Sequence, residues 1–293
     1  MNKLGTHFGF WERNLGAIDA DLYVRSLKKA AKIGFDVIEF TSAPFYDMSR
    51  SDMDRLRDAS EEHGIEFAYS YCFSADQDIS SRDEAKRKRG VDYMKQVLKN
   101  VGYLNGTTMG GITYGAWHGL IEDSKQAHWD RAVQSVKEII KVAEDCGVTY
   151  LLETVNRFEN FILNTHEESI RFAKDVDSPN IMVELDSFHM NVEEDDLAAA
   201  IVQTGDMLGH FHVGECNRKP PGTGRMEWDA IFAALNKIRY QGWIVMEPFV
   251  LSGGDIARDV ALYRDLLPEA ELDREAGKAL AFMKEKVKKA ALA

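Results

Sequence analysis

The chain of 293 residues lacks the features that mark secreted and membrane-spanning proteins. Its three cysteines, Cys72, Cys146 and Cys216, are widely spaced and form no CxxC pair, which favours reduced thiols over a disulfide framework. No long apolar run follows the first lysine, and no window approaches the roughly 20 apolar residues that span a bilayer. We therefore expect a cytoplasmic protein that has no membrane partner.

Positive charge is also scarce. The 36 basic side chains are outnumbered by 48 acidic ones, which gives a formal net charge of −12. Binding to duplex nucleic acid requires clustered Lys and Arg that displace phosphate counterions, so we expect no nucleic-acid partner. With 45% hydrophobic and 29% charged residues, the composition is instead typical of a folded globular protein.

The chain repeats one unit, in which a helical run is followed by a glycine and a short β-rich run. The unit occurs around Gly34, Gly64 and Gly147, and glycine is the usual residue just past a helix C-terminus. The short apolar strands that follow are typical of a parallel sheet covered on both faces. Strands are predicted at 4–10, 36–41, 65–71, 107–112, 148–153, 181–186, 208–213 and 243–248, and helices at 21–33, 82–104, 124–146, 165–176 and 226–240.

About eight strands alternating with helices predict an α/β fold, namely a (β/α)₈ TIM barrel. The alternative is a doubly wound open sheet, but neither GxGxxG nor GxxxxGK[ST] follows the first strand. No linker divides the chain, so we expect a single domain over residues 1–293, with the barrel at about 4–267 and an additional C-terminal helix at about 269–290. An apolar stripe on that helix should pack on the barrel or on a partner subunit: Leu272, Ala276, Leu280, Met283 and Val287.

Polar side chains end four of the predicted strands. Glu153, Asp186, His212 and Glu247 are separated by 33, 26 and 35 residues, each about one βα unit. Because chemistry in a barrel lies at the C-terminal ends of its strands, we expect these four groups to converge. A strand-end acid taken alone is more often a helix N-cap or a solvated loop residue. Three carboxylates and one imidazole together favour a divalent cation, Mn²⁺ first, with Co²⁺ or Mg²⁺ also compatible.

Four stretches of the chain resemble ketose 3-epimerases, the D-tagatose and D-psicose (allulose) 3-epimerases of the xylose isomerase-like TIM barrel superfamily. They are LLETVNRFENFILNT (151–165), VELDSFHMNVEE (183–194), LGHFHVGECNRKPPGTGR (208–225) and VMEPFV (245–250). The N-terminal GTHFGFW also matches, so the resemblance covers essentially the whole chain. The DSFHMN and ECNR motifs are specific to this branch of the superfamily.

The resemblance implies an isomerase that inverts C3 of a free ketose, such as D-psicose/D-fructose or D-tagatose/D-sorbose, through a cis-enediolate. Glu153, Asp186, His212 and Glu247 would be the metal ligands, and Glu153 and Glu247 would also move the proton. The residues implied to bind the sugar or to line its pocket are Glu159, His189, Arg218, His7, Trp117 and Phe249, with Phe8 and Trp11 beside them. The resemblance also implies a homodimer or a homotetramer.

One position departs from the pattern, because His7 stands where many relatives have Tyr or Phe. In the family that this chain resembles, the position faces the far end of the sugar, so the preference at C4 to C6 stays open. Three other functions use related barrels. An aldose–ketose isomerase is the main alternative, and DSFHMN and ECNR weigh against it. A metal-dependent endonuclease would need further His and Asp ligands and a basic face, and a sugar-binding barrel would not need two facing glutamates.

Overall fold

The computed structural model describes residues 2–14 and 18–292, and in this part eight strands alternate with ten α-helices. The strands are β1 (Leu4–His7), β2 (Val37–Thr41), β3 (Glu66–Ser70), β4 (Thr108–Met109), β5 (Thr149–Thr154), β6 (Ile181–Asp186), β7 (Leu208–Val213) and β8 (Trp243–Met246). The helices are α1 (Ala20–Ile33), α2 (Arg50–His63), α3 (Glu84–Tyr103), α4 (Lys125–Cys146), α5 (His166–Val176), α6 (Ser187–Glu193), α7 (Leu197–Thr204), α8 (Trp228–Lys237), α9 (Gly254–Asp259) and α10 (Leu272–Ala290). None of these described helices is long and apolar enough to cross a membrane.

The strands form one sheet in the order β3-β2-β1-β8-β7-β6-β5-β4. β1 pairs in parallel with both β2 and β8, so the first and last strands of the chain are neighbours. Parallel bridges join Ser70, the last residue of β3, to Gly110, which follows β4, and join Phe73 to Ala116. This is the nearly closed (β/α)₈ barrel that the sequence predicts, and the alternative of an open doubly wound sheet is wrong.

Contacts within the chain group it into two compact units. The terminal unit comprises Met1–Phe40, Met48–Phe67 and Phe211–Ala293, and the central unit comprises Thr41–Asp47 and Ala68–His210. In the terminal unit, Tyr23 of α1 stacks on Phe40 of β2 with ring centroids 4.0 Å apart. In the central unit, Trp129 of α4 meets Phe172 of α5 edge-on at 5.1 Å. The boundaries of a single domain over 1–293 stay a prediction.

Capping residues explain where the main helices begin and end. In five helices, the side chain of the residue before the helix accepts a hydrogen bond from a backbone N–H of the first turn. These residues are Asp19, Ser49, Asp83, Ser124 and Thr165. Three of these helices end at a glycine in the left-handed conformation, with φ of +102° at Gly34, +62° at Gly64 and +68° at Gly147. The predicted unit of helix, glycine and strand is therefore confirmed.

The C-terminal helix α10 packs on elements of the terminal unit. The buried residues of its apolar stripe are Leu272, Ala276, Leu280 and Met283. The helix contacts α1, α8 and β1, so its stripe covers the outside of the barrel wall. Of the two partners expected for this stripe, the barrel is the one observed.

Candidate active site

The four strand-end side chains lie where the sequence predicts them. Glu153 lies in β5, Asp186 is the last residue of β6, His212 lies in β7, and Glu247 directly follows β8. The first three are buried and Glu247 is half-buried. Carboxylates in such positions need a cation or hydrogen bonds to compensate for lost hydration. The contacts of each therefore decide what the site can do.

In the terminal unit, Glu247 has His212 and Arg218 as neighbours. Its Oε2 lies 3.6 Å from His212 Nδ1 and accepts a hydrogen bond from Arg218 Nη1 at 3.0 Å. The other ring nitrogen, His212 Nε2, lies 3.0 Å from Oε2 of the buried Glu39. With the Nε2 proton donated to Glu39, the Nδ1 lone pair is on the side of Glu247, where both could bind one ion.

The loop after β7 holds Arg218 in an unusual backbone conformation. Its φ is +62°, which costs a non-glycine residue about 1–2 kcal/mol and commonly occurs at functional sites. The fully buried carboxylate of Glu215 organises this loop by accepting three hydrogen bonds, from the backbone N–H of Gly222 at 2.8 Å and of Met226 at 3.2 Å and from the indole of Trp228 at 2.8 Å. The ECNR motif thus presents its arginine to Glu247.

His7, the position expected to depart from the family pattern, is buried in the same unit. Its ring meets that of Phe249 edge-on at 5.7 Å, and the Arg218 guanidinium lies 5.3 Å from the centroid of Phe249. Burial lowers the pKa of His7 to about 4, although nearby Glu39 opposes the shift. His7 Nδ1 accepts a hydrogen bond from the Gly9 N–H at 3.1 Å. The ring is therefore neutral at neutral pH and carries its proton on Nε2, a donor that phenylalanine lacks.

In the central unit, Glu153, Asp186 and His189 lie together. His189 Nε2 is 3.7 Å from Glu153 Oε1 and 4.0 Å from Asp186 Oδ2. Asp186 Oδ1 accepts a hydrogen bond from the Phe188 N–H at 2.6 Å and so caps α6. The role of helix N-cap, which is common for an isolated strand-end acid, is therefore correct for one oxygen of Asp186. Its other oxygen lies near His189.

Glu159 is held by two N–H donors in the central unit. Trp117 Nε1 donates to its Oε2 at 3.0 Å, and Asn156 Nδ2 donates to its Oε1 at 3.2 Å. The same Oε1 lies 3.8 Å from His189 Nδ1. The structure thus brings together three residues that the sequence assigns to the substrate, namely Trp117, Glu159 and His189.

The two remaining aromatic residues near β1 have packing contacts in the terminal unit. Phe8 is fully buried, and its ring meets Tyr23 at 5.3 Å and Phe40 at 5.9 Å. The indole of Trp11 donates to Asp273 Oδ1 on α10 at 2.9 Å. Phe8 therefore belongs to the hydrophobic core, and Trp11 fastens the end of β1 to the C-terminal helix.

Carboxylate and imidazole groups are close enough to one another to bind a metal ion. In the terminal unit, one ligand atom from each of His7, Glu39 and Glu247 lies within 4.8 Å of the other two, and His212 Nδ1 lies 3.6 Å from Glu247 Oε2. In the central unit, Glu153 and Asp186 lie together beside His189, and the convergence of all four strand-end groups stays a prediction. Sets rich in carboxylate oxygen with one or two imidazoles fit a divalent cation such as Mn²⁺, Mg²⁺ or Co²⁺. A bound cation would also reduce the repulsion between the carboxylates.

Three buried residues of the site were not predicted from the sequence: Glu39, Asn156 and Glu215. Each one contacts a predicted residue or the loop that carries it. Glu39 had a usable signal, since it is an acid near the end of the predicted strand 36–41. Asn156 and Glu215 lie inside the quoted NRFEN and ECNR stretches, but a motif does not reveal which group each side chain contacts.

Comparison with known proteins identifies the family. A family model described as Xylose isomerase-like TIM barrel matches residues 27–286. The chain is 41% identical to the D-psicose 3-epimerase of Ruminiclostridium cellulolyticum, over 96% of each chain. The chain belongs to the ketose 3-epimerase family.

Other members of the family agree with this assignment. The ketose 3-epimerase of Arthrobacter globiformis is 32% identical over 92% of each chain. The solved structure of D-psicose 3-epimerase with D-tagatose from Clostridium cellulolyticum H10 has a TM-score of 0.93 and 40% identity, covering 97% of this chain and 99% of that one. As a ketose 3-epimerase family member, the chain is a carbohydrate isomerase, which is the enzyme class predicted from the sequence.

Proposed function

We propose that the protein is a metal-dependent epimerase that inverts C3 of a free ketose. The observation that carries the proposal is the pair of acid-rich sets at the strand ends, Glu153 with Asp186 in the central unit and His212 with Glu247 in the terminal unit. Relatives named D-psicose 3-epimerase and ketose 3-epimerase support a ketose substrate. D-psicose/D-fructose and D-tagatose/D-sorbose are the substrate pairs to examine first, with Mn²⁺ as the first cation and Co²⁺ or Mg²⁺ as alternatives.

Inversion at C3 requires that a proton α to the C2 carbonyl be removed and that one be returned to the opposite face. We assign the two transfers to Glu153 and Glu247, one as base and the other as acid, with roles that exchange when the reaction reverses. Removal of the proton gives a cis-enediolate. A divalent cation bound by Glu153, Asp186, His212 and Glu247 would polarise the C2 carbonyl and stabilise the developing negative charge.

We assign the remaining contacts with the sugar to residues that flank these two glutamates. Arg218, whose Nη1 lies 3.0 Å from Glu247, and His189, whose Nε2 lies 3.7 Å from Glu153, can each donate a hydrogen bond to oxygens at C1 to C3. Glu159 would accept a hydrogen bond from a sugar hydroxyl, while Trp117 and Phe249 would contact the carbon face of the sugar. His7 would meet the C4 to C6 end.

Incubation of the Mn²⁺-loaded protein with single ketoses tests the proposal. We expect D-fructose to yield D-psicose, and D-tagatose to yield D-sorbose, with both conversions reversible and separable by chromatography. Formation of an aldose would instead support the alternative, an aldose–ketose isomerase that moves hydrogen between C1 and C2. A panel of ketohexoses and ketopentoses in which none is epimerised contradicts the proposal.

Substituting His7 is expected to change the order in which ketoses are preferred. His7→Phe removes the Nε2–H donor and His7→Tyr replaces it by a hydroxyl, so kcat/KM should shift between ketoses that differ at C4 to C6 by about 5–150-fold, or ~1–3 kcal/mol. Metal affinity should stay the same. His63→Phe, at the exposed end of α2, is the control. An unchanged ranking across the panel would mean that His7 does not contact the sugar.

We also propose that the protein forms a homodimer or a homotetramer through the central unit. Three large apolar side chains there are exposed, Leu120 by 81%, Ile121 by 54% and Phe158 by 75%. Their two loops are joined by a hydrogen bond from the His118 N–H to the Glu159 carbonyl at 2.7 Å, and an apolar patch of this kind is typical of an interface. Sedimentation should show an oligomer, and the double variant Leu120→Ser/Phe158→Ser should dissociate it. Tyr263→Ser, a change of another exposed side chain, is the control and should leave the oligomer intact. A monomeric wild type would refute the proposed interface.

A further inference from the structure

We propose that Asn156 is a positioning residue that holds His189 in the tautomer with its proton on Nε2. The inference rests on the proposed function, in which His189 donates a hydrogen bond to a sugar oxygen. Asn156 is the second residue after the end of β5, and His189 lies on α6. Both side chains are almost completely buried, with 3% of Asn156 and 2% of His189 exposed. Water therefore has little access to the contact between them.

Two N–H groups of Asn156 lie against the same ring nitrogen. The backbone N of Asn156 is 3.2 Å from His189 Nδ1, and the side-chain Nδ2 is 2.7 Å from it. A backbone N–H can only donate, so Nδ1 must be the acceptor in the first contact. A proton on Nδ1 would point at this donor.

The orientation of the Asn156 amide follows from a third contact. The Phe158 backbone N–H lies 2.9 Å from Asn156 Oδ1, and because this N–H can only donate, the oxygen must be on that side. The amide nitrogen is then on the opposite side, where it meets His189 Nδ1 and also Glu159 Oε1 at 3.2 Å. Glu159 Oε1 can only accept a hydrogen bond, and His189 Nδ1 accepts one from the backbone, so both contacts agree with the amide nitrogen as the donor.

With Nδ1 accepting from Asn156, the ring carries its proton on Nε2. That nitrogen is the one near Glu153 Oε1 at 3.7 Å and Asp186 Oδ2 at 4.0 Å. The N–H donor of His189 therefore faces Glu153, which the proposed mechanism assigns to proton transfer, and Asp186, which it assigns to the cation. In the other tautomer Nε2 would present a lone pair, which repels a carbonyl or an enediolate oxygen at the same place.

The chain offers a matched control for Asn156 in the same loop. Asn160 is also buried and has the same local geometry, since its Oδ1 accepts from the N–H two residues later, that of Ile162, at 2.7 Å. Its Nδ2 donates to the Ala116 carbonyl at 2.8 Å instead of to an imidazole. Changing either asparagine to aspartate disturbs the loop in a similar way, but only Asn156→Asp replaces the donor to His189 by an acceptor.

The test reads the tautomer directly. The ¹⁵N chemical shifts of the His189 ring, assigned with a His189→Gln variant, are recorded for protein labelled with ¹⁵N-histidine, both metal-free and with diamagnetic Mg²⁺. We expect the proton on Nε2 in the wild type and in Asn160→Asp. In Asn156→Asp we expect it on Nδ1, because a charge-assisted bond to the carboxylate at the 2.7 Å position outweighs the longer backbone contact at 3.2 Å. Asn156→Asp should also lower kcat by about 10–100-fold, with a smaller change in KM and in Mn²⁺ affinity.

Three results would overturn or separate the claims. A wild-type spectrum with the proton on Nδ1 overturns the positioning role, and this result does not depend on whether any variant folds. A spectrum of folded Asn156→Asp that is identical to the wild type at His189 overturns it as well. If the wild type shows the Nε2 proton but epimerises no ketose, the positioning of His189 is supported and the proposed function fails.

Discussion

Replacing either Glu153 or Glu247 by glutamine is expected to lower the rate of epimerisation by about 10³-fold, within the range of 10²–10⁴ that a positioned acid or base contributes. Glutamine keeps an oxygen that can bind a cation, but its amide cannot accept the C3 proton at neutral pH. Each variant should therefore retain some binding of Mn²⁺ and of the ketose. Steady-state rates together with a Mn²⁺ titration followed by electron paramagnetic resonance measure both properties.

The two variants should also differ from each other in hydrogen exchange. With one C3 epimer as substrate, the variant that keeps the base still forms the enediolate and exchanges the C3 hydrogen with D₂O without inverting the carbon. The other variant should do so only with the opposite epimer. Equal exchange by both variants with both epimers would instead indicate a single base that serves both faces, and our assignment of the two glutamates would be wrong.

A surface glutamate provides the control for these substitutions. Glu138 lies on α4 and pairs with Lys95 at 3.2 Å, with 64% of its side chain exposed. An exposed ion pair of this kind contributes about 0–1 kcal/mol to stability. Glu138→Gln should therefore have wild-type activity and metal binding. A loss of activity in this variant would show that the effects at Glu153 and Glu247 do not arise from proton transfer alone.

Removing the divalent cation that we propose for this site is the second change with a large expected effect. Chelation followed by gel filtration should reduce turnover to near background, and Mn²⁺ should restore it. The thermal midpoint should fall at the same time, because the carboxylates of Glu153, Asp186 and Glu247 then lose their counterion and a ligand at 100 times its Kd stabilises by about 2.7 kcal/mol. Full turnover by protein whose metal content is shown to be negligible would contradict the proposal.

Glu39 offers a second way to weaken the metal site. It accepts from His212 Nε2 at 3.0 Å, and such partners of metal-binding histidines contribute about 10–100-fold to affinity. Glu39→Gln should therefore raise the Kd for Mn²⁺ by this factor without removing any ligand. Glu66→Gln, on an exposed residue of β3, serves as the control. An unchanged Kd in Glu39→Gln would mean that the hydrogen bond does not orient His212 for the ion.

Most of the fold could be predicted, because the alternation of helix, glycine and strand repeats along the chain. The strands 181–186 and 208–213 coincide with β6 and β7. The predicted strand 107–112 is only Thr108–Met109, because Gly111 adopts a φ of +91° that interrupts the extended backbone. Position 110 is glycine because a Cβ there would lie 2.2 Å from Glu184 Oε2. Periodicity does not reveal such close approaches. The strand predicted at 4–10 ends at His7, because a short 3₁₀ helix begins at Phe8 and the His7 ring caps it.

The positions of the four strand-end residues could be predicted, but the contacts that orient them could not. The spacing of Glu153, Asp186, His212 and Glu247 follows from one ionisable residue recurring at the end of a strand in each βα unit. The bond between His212 and Glu39 joins residues 173 positions apart, so nothing local in the sequence indicates it. The contact of Asn156 with His189 depends on which way an amide points, and a backbone N–H in a loop decides that.

The measurement that tests the central claim most directly is the conversion of D-fructose in D₂O by the Mn²⁺-loaded protein, followed by NMR. We predict that D-psicose forms with deuterium at C3 and with unchanged hydrogens at C1, because the proton returned to C3 comes from a glutamate in exchange with solvent. Deuterium at C1 together with an aldose product, or D-psicose that retains the original C3 hydrogen, would contradict this account.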